Sequence, residues 1–259
     1  SLAYILTGYS YWGDELFSIT SSSDSWHNLF NKWILPDTHP PLYPIFLKLW
    51  IIFFGNSEIS TRLLSLLFSL VTLFIFGNEV LTRKSIKRII SYLLILTAPS
   101  FIYYSQESRN YSLMMMLASF VTILLLRLRE ESLITSTKAS IPFPNKIRIL
   151  YYLSCLFLSL THYFGLIYVL IITIINYFEK IVEPNRWKSL ALLFSIAIWP
   201  IIHNPSSSTL DKIGWIKIWP LFGTINEYLV GCVPFLSYRG DVSYLVWLFS
   251  VFILIWSLY

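Results

Sequence analysis

Two acids stand side by side in the run Trp12-Gly13-Asp14-Glu15. A carboxylate held at the edge of an apolar phase can act as general base toward a sugar or protein hydroxyl. The same pair is also what an ordinary solvated helix end carries. A second cluster, Asp37-Thr38-His39-Pro40-Pro41-Leu42-Tyr43, sets an acid and an imidazole ahead of two prolines. Each proline fixes φ at about −65° and removes a backbone donor, so the pair stops one element and rigidly launches the next. Asp37 and His39 would thereby be held in a defined place, unless Asp37 merely opposes a helix dipole.

The third cluster is Tyr103-Tyr104-Ser105-Gln106-Glu107-Ser108-Arg109-Asn110-Tyr111. Its polar middle reads as a tight turn rich in hydrogen-bonding groups. Arg109 could grip a phosphate with two parallel bonds, and Arg62 could do the same. Arg109 could equally pair with Glu107 or anchor at an interface. Tyr104 and Tyr111 suit either an interfacial belt or the stacking of a sugar ring. A fourth cluster, Thr161-His162-Tyr163-Phe164-Gly165, interrupts a long apolar run. His39, His162 and His203, together with Glu15, Asp37 or Glu58, could bind a divalent metal. Glu15, His39 and His162 lead that set, although no HxH or HxxxH spacing supports it.

The elements that must position these groups are apolar. The chain has 259 residues, of which 56% are hydrophobic and 13% charged, about half the usual share of roughly 25%. Uncharged stretches run from Leu63 to Asn78, Ile89 to Gln106, Asn110 to Leu126, Ile149 to Phe178, Ser189 to Leu210 and Val242 to Tyr259. Most approach the roughly 20 residues a helix needs to cross a bilayer core. So many cannot all hide inside one soluble domain of this size. The expected fold is all-α, a polytopic transmembrane helical bundle forming a single membrane domain over residues 1–259. The chain reads as a piece truncated at both ends, with Leu2 to Tyr11 as the end of a first helix.

The net charge of +5 does not point to nucleic acid, because the basic residues fall in short clusters between apolar runs. Arg83, Lys84, Lys87 and Arg88 form one; Arg127, Arg129, Lys138, Lys146 and Arg148 a second; Lys180, Arg186 and Lys188 a third. Such clusters mark cytoplasmic loops. The connections between them must then cross the membrane an even number of times. Two crossings place the Ser105–Asn110 turn outside. As a single helix, Ile149–Phe178 would be about 45 Å long and strand the third cluster on the wrong side. A hairpin turning at Thr161–Gly165 satisfies the charges, with His162 recessed. Leu42–Phe54 is short, carries Lys48 and is expected to be an interfacial helix of the first extracytoplasmic loop. A long outer segment from His203 to Asp241 and a further crossing at Val242–Tyr259 complete the expected topology. The outer face then collects Asp14, Glu15, Asp24, Asp37, Glu58, Glu107, Asp211, Glu227 and Asp241, with every histidine. Cys155 and Cys232 are isolated and form neither a disulfide framework nor a zinc motif.

The succession WGDE, DTHPPLY, GNSE followed by Arg62, YYSQESRNYS and THYFG resembles the integral-membrane GT-C glycosyltransferases. It is most similar to the branch of dolichyl-phosphate-mannose protein mannosyltransferases and lipid A aminoarabinose transferases, in its bacterial form. The resemblance covers about residues 9–200. It implies a polyprenyl-phosphate-linked sugar as donor, and a glycan, lipid or protein hydroxyl as acceptor. Transfer would be inverting, on the extracytoplasmic side of an integral membrane protein, with no cofactor required. It places the catalytic base on Asp14, with Glu15 beside it, and the donor phosphate near Arg62 and Arg109. Asp37, His39, Glu58, Tyr104, Gln106, Glu107, Tyr111, His162 and Tyr163 then line the substrate. A transporter or flippase of lipid-linked sugars, or a non-catalytic membrane assembly subunit, would fit the same composition. The first would need internal repeats with charge at mid-membrane, and no such repeat is found.

Overall fold

Residue 98 precedes a proline, and the chain breaks there. Ala98 is extended, with ψ 120°, and Pro99 starts a new helix, because a proline ring disfavours helical backbone in the residue before it. The run expected to cross as one piece is therefore two helices, Ile86–Thr97 and Pro99–Tyr104. The computed structural model describes residues 2–37, 39–83, 86–137, 145–179, 182, 190 and 192–202. Every regular element among these is helical. His203, the expected outer segment to Asp241, the Val242–Tyr259 crossing and the Lys180–Lys188 cluster lie outside the described residues.

In chain order the elements are α1 (Leu2–Leu6), α2 (Gly13–Ser23) and a single turn α3 (Trp26–Asn28) that runs into a π-helical turn, Leu29–Ile34. There follow α4 (Leu42–Phe54), α5 (Glu58–Arg83), α6 (Ile86–Thr97), α7 (Pro99–Tyr104) and α8 (Tyr111–Thr137). The described part closes with α9 (Asn145–Ser159), α10 (Tyr163–Glu179) and α11 (Leu192–Ile202). The first helix is shorter than the sequence suggests, because Gly8 takes φ +63° just beyond its end, a conformation open mainly to glycine.

Helix α8 is the centre. It packs against α5, α7, α9 and α10, burying Leu113, Leu117, Val121, Leu124 and Leu128 along one face. From α9 it meets Tyr151, Cys155 and Leu158, and from α10 Val169 and Ile172. The α9–α10 hairpin turns where the sequence predicts. A Cβ at Gly165 would fall 2.2 Å from the Leu158 carbonyl oxygen, so only glycine allows the arms to close this tightly. Asn176 Nδ2 donates to Tyr151 Oη at 2.7 Å across the same pair.

Among the described residues two helices, Glu58–Glu79 within α5 and Tyr111–Glu130 within α8, are long and apolar enough to cross a membrane. Their surroundings are patterned inside out. On α5 the buried side carries Thr61, Arg62, Ser65, Ser69 and Thr72 alongside Leu64 and Phe68, while Leu67, Leu70 and Phe74 are exposed, Phe74 at 74%. On α10 the buried side includes Thr173 and Asn176, and the exposed side is Ile167, Leu170, Ile171, Ile174, Ile175 and Phe178. Small hydroxyl residues let backbones approach closely where hydrocarbon, not water, surrounds the bundle. The hydroxyls of Ser69 and Thr72 bond to Ser65 O and Phe68 O of their own helix, so their burial leaves little polarity unmet.

Candidate active site

Five separate stretches of chain meet at one end of this bundle. The N-terminus of α2, the Pro41–Leu42 start of α4, the first turn of α5, the Ser105–Asn110 turn and the α9–α10 turn are joined by polar bonds. Leu42 N donates to Leu160 O at 2.9 Å, Asn110 Nδ2 to Thr161 O at 3.3 Å, and Ser108 Oγ to Thr61 Oγ1 at 2.9 Å. These are the stretches that carry the candidate residues.

The adjacent acids Asp14 and Glu15 go opposite ways. Helix α2 starts at Gly13, so consecutive side chains diverge by about 100°. Glu15 shares the buried face with Ser18, Ile19 and Ser22 and is 1% exposed. Arg62 meets it with a two-pronged grip, Nε to Oε1 at 3.0 Å and Nη2 to Oε2 at 2.7 Å. Ser108 N adds a bond to Oε1 at 2.9 Å, and Trp12 N a longer one to Oε2 at 3.4 Å. The remaining donors of Arg62 go to Tyr9 O at 2.6 Å and Ser10 O at 3.4 Å. Arg62, expected near a donor phosphate, therefore spends every nitrogen within the protein. This unit fastens α2, α5 and the Ser105–Asn110 turn together.

Asp14 stays at the mouth, its side chain 56% exposed. Among the described residues its one ion-pair contact is Arg109 Nη2 at 3.4 Å. Arg109 Nη1 donates to Asp14 O and to Ser18 Oγ, each at 3.2 Å. The sequence offered Glu107 as the natural partner of Arg109; the structure gives it Asp14 instead. Glu107 is buried with Oε2 unpartnered. Burial, first, then the negative charges of Glu15 and Asp14, push its carboxyl up to about 7, against the pull of Tyr103 and Arg109. Burial takes the larger share because desolvation disfavours the charged form.

A column of rings runs from the Ser105–Asn110 turn to the α9–α10 turn. Tyr104 stacks on Tyr111 with centroids 4.1 Å apart, Tyr111 meets His162 at 5.4 Å, and His162 meets Phe164 at 4.9 Å and His39 at 5.8 Å. His162 Nδ1 accepts from Phe164 N at 3.1 Å. Burial, then the positive environment of His39 and Arg109, hold its imidazole down at about 4, hence neutral. Asp37 Oδ2 lies 3.4 Å from His39 Nδ1, and Tyr163 at the start of α10 is within electrostatic reach of Asp37.

Other expected residues stand apart. Gln106 Nε2 donates back to Ile102 O at 3.0 Å, in an exposed position. Glu58 opens α5 within electrostatic reach of the Tyr11 hydroxyl. Asp24 braces the first loop, accepting from Ser25 N, Asn28 Nδ2 and Trp33 Nε1 at 2.8–2.9 Å, which holds its carboxyl down at about 2. Lys48 on α4 is buried and donates to Ser22 O and Asp24 O at the end of α2, a cation on the negative pole of a helix. As for the metal, both Glu15 oxygens are committed to Arg62. Among the described residues no three His, Cys, Asp or Glu side chains are grouped to hold an ion.

Two contributors carry no chemical signature in the sequence, Ser108 through its backbone N–H and Ser18 through its hydroxyl. Only Ser18 was within reach of sequence reasoning, since it lies one turn beyond Asp14 on α2. No protein-family model, no curated protein and no solved structure matches the chain.

Proposed function

We propose that this chain is the membrane-embedded catalytic region of an inverting glycosyltransferase of the GT-C type. It would take a sugar from a polyprenyl-phosphate carrier and pass it to a hydroxyl of a glycan, lipid or protein on the extracytoplasmic side. The inside-out faces of α5 and α10 support the polytopic bundle that this requires. A reaction centre at the end of the bundle suits a phosphate anchored to a lipid, which must be approached at membrane level.

The observation that carries the reading is the division of the acid pair. Glu15 is fully engaged and fixes the frame, whereas Asp14 keeps an open carboxylate at the mouth, 3.4 Å from Arg109. In this scheme Asp14 is the general base that takes the acceptor proton as the glycosidic bond forms, and Arg109 offsets the charge building on the departing phosphate. The two need each other only while the site is empty. A donor phosphate that draws Arg109 to itself releases Asp14 for the acceptor. His162, neutral and locked by Phe164 N, supports the ring column of Tyr104, Tyr111 and His39 on which a sugar can rest. A groove of about 330 Å³ between α5, α6, α7 and α8, lined in part by Phe76, Ile95, Phe101 and Met115, offers the carrier tail an apolar path.

The test is Asp14→Asn in the full-length protein. Its amount in the membrane should match wild type, while sugar transfer falls by about 10²-fold or more, the range for loss of a general base. Transfer at the wild-type rate would remove Asp14 from the chemistry.

A further inference from the structure

We propose that Glu107 binds a phosphodiester monoanion as a neutral carboxylic acid, donating a hydrogen bond to a phosphate oxygen beside the Arg109 guanidinium. This rests on the reading of the donor as a lipid-linked sugar phosphate and gives that donor's anion its second ligand.

The geometry starts from two unmet atoms in one turn. Glu107 Oε2 and Arg109 Nε are both buried without a hydrogen-bond partner. Arg109 N donates to Glu107 O at 2.8 Å, so the two side chains leave the same tight turn, yet they do not neutralise each other. A buried donor and a buried carboxyl oxygen, each without a partner, are costly because both have given up water and gained nothing in return. That cost is offset when a ligand supplies what both lack.

The ionisation state decides which ligand. The groups facing Glu107 are the Tyr103 and Tyr111 phenols, the Arg109 guanidinium, to which Tyr111 also bonds, and the carboxylates of Asp14 and Glu15. Two nearby anions and burial favour the protonated acid. Protonated, Glu107 offers an O–H; Arg109 beside it offers N–H groups. Two donors with one positive charge suit a singly charged phosphodiester, and short O–H···O⁻ bonds are among the stronger ones. Ionised, the same carboxylate would repel that anion. An entering phosphate that replaces Asp14 at Arg109 arrives against this turn.

The probe is methyl farnesyl phosphate, a diester whose single charge does not change across the neutral range. Binding is measured to the full-length protein in lipid nanodiscs. Wild-type affinity should fall roughly 10- to 30-fold between about pH 6.5 and 8.5, as a carboxyl titrating near neutrality loses its proton. Glu107→Gln, whose amide still donates but does not titrate, should bind within a few-fold of wild type at the lower pH and show no slope. Tyr103→Phe, which removes a hydrogen bond favouring the ionised form, should move the midpoint upward. A flat wild-type profile, a slope that survives Glu107→Gln, or an unmoved midpoint in Tyr103→Phe would each overturn the assignment to Glu107. Absence of diester binding by wild type at every pH would instead sink the donor reading itself, and Glu107 with it.

Discussion

The floor and the mouth of the site each hold one carboxylate against one arginine, and they behave as opposites. At the floor, Glu15 and Arg62 are nearly sealed, 1% and 3% exposed, and meet at 2.7 Å with a second bond at 3.0 Å. At the mouth, Asp14 is 56% exposed and meets Arg109 at 3.4 Å through one contact. The acids are sequence neighbours, so residue type does not separate them. Helical geometry does: one step along α2 turns a side chain from the bundle toward the opening. A site of this kind needs both, a rigid floor that holds three segments in register and a reactive group that stays free to change partners.

Breaking the floor should have the largest effect. Arg62→Leu leaves Glu15 buried without its countercharge, and losing one partner of a buried pair typically costs about 3–5 kcal/mol. The thermal stability of the solubilised protein should fall accordingly, and α2 should part from the Ser105–Asn110 turn. Glu15→Gln with Arg62→Leu removes both charges and should recover much of that loss, since the pair itself contributes less than its breakage costs. If Arg62→Leu is no more harmful than Asp14→Asn, the contrast between floor and mouth has no energetic content.

The pH response sharpens the comparison from a different side. His162 has its pKa lowered to about 4. The unfolded chain, with an ordinary imidazole, therefore binds more protons than the folded one from about pH 4 to 6.5, and stability rises with pH in that window. Glu107 is raised to about 7. Here the folded chain keeps its proton while the unfolded chain loses it, so stability falls with pH from about 4.5 to 7. In wild type the two slopes oppose each other. Glu107→Gln should expose the rising slope, and His162→Phe the falling one, in melting temperatures taken across the range. Parallel curves for the two variants would show that neither group is buried in the protonation state described.

Much of this arrangement can be read from residues in order. The proline pair before Leu42 marks the start of α4 and Thr161–Gly165 marks the hairpin turn, whereas the break at Pro99 goes unread within an apolar run taken as one crossing. The spacing of Glu15, Ser18, Ile19 and Ser22 also traces one helical face, which hints that Glu15 turns inward and Asp14 outward. What spacing does not reveal is which arginine each acid meets. Arg62 and Arg109 are equivalent as types, and their assignment depends on how α5 and the turn before α8 pack against α2. Ser108 reaches Glu15 through its backbone N–H, which every non-proline residue has, so no inspection of side chains would find that bond. The burial of Glu107 is likewise a property of neighbours far away in sequence. Local structure follows from local residues; the partners of the acids follow from the packing of the whole end.

The mouth itself should give the smallest change in stability. Asp14 makes one contact at 3.4 Å to a guanidinium that also holds Asp14 O and Ser18 Oγ. Removing the carboxylate charge leaves those two bonds intact, so Arg109 keeps its place without it. A pair whose carboxylate lies in solvent contributes about 0.2–1 kcal/mol, screened further by salt. Asp14→Asn should therefore unfold within about 1 kcal/mol of wild type, with a difference that shrinks as salt is raised. A loss comparable to that of Arg62→Leu would mean Asp14 is part of the frame. It could not then be released by an incoming phosphate, and the open carboxylate that the proposed chemistry requires would not exist.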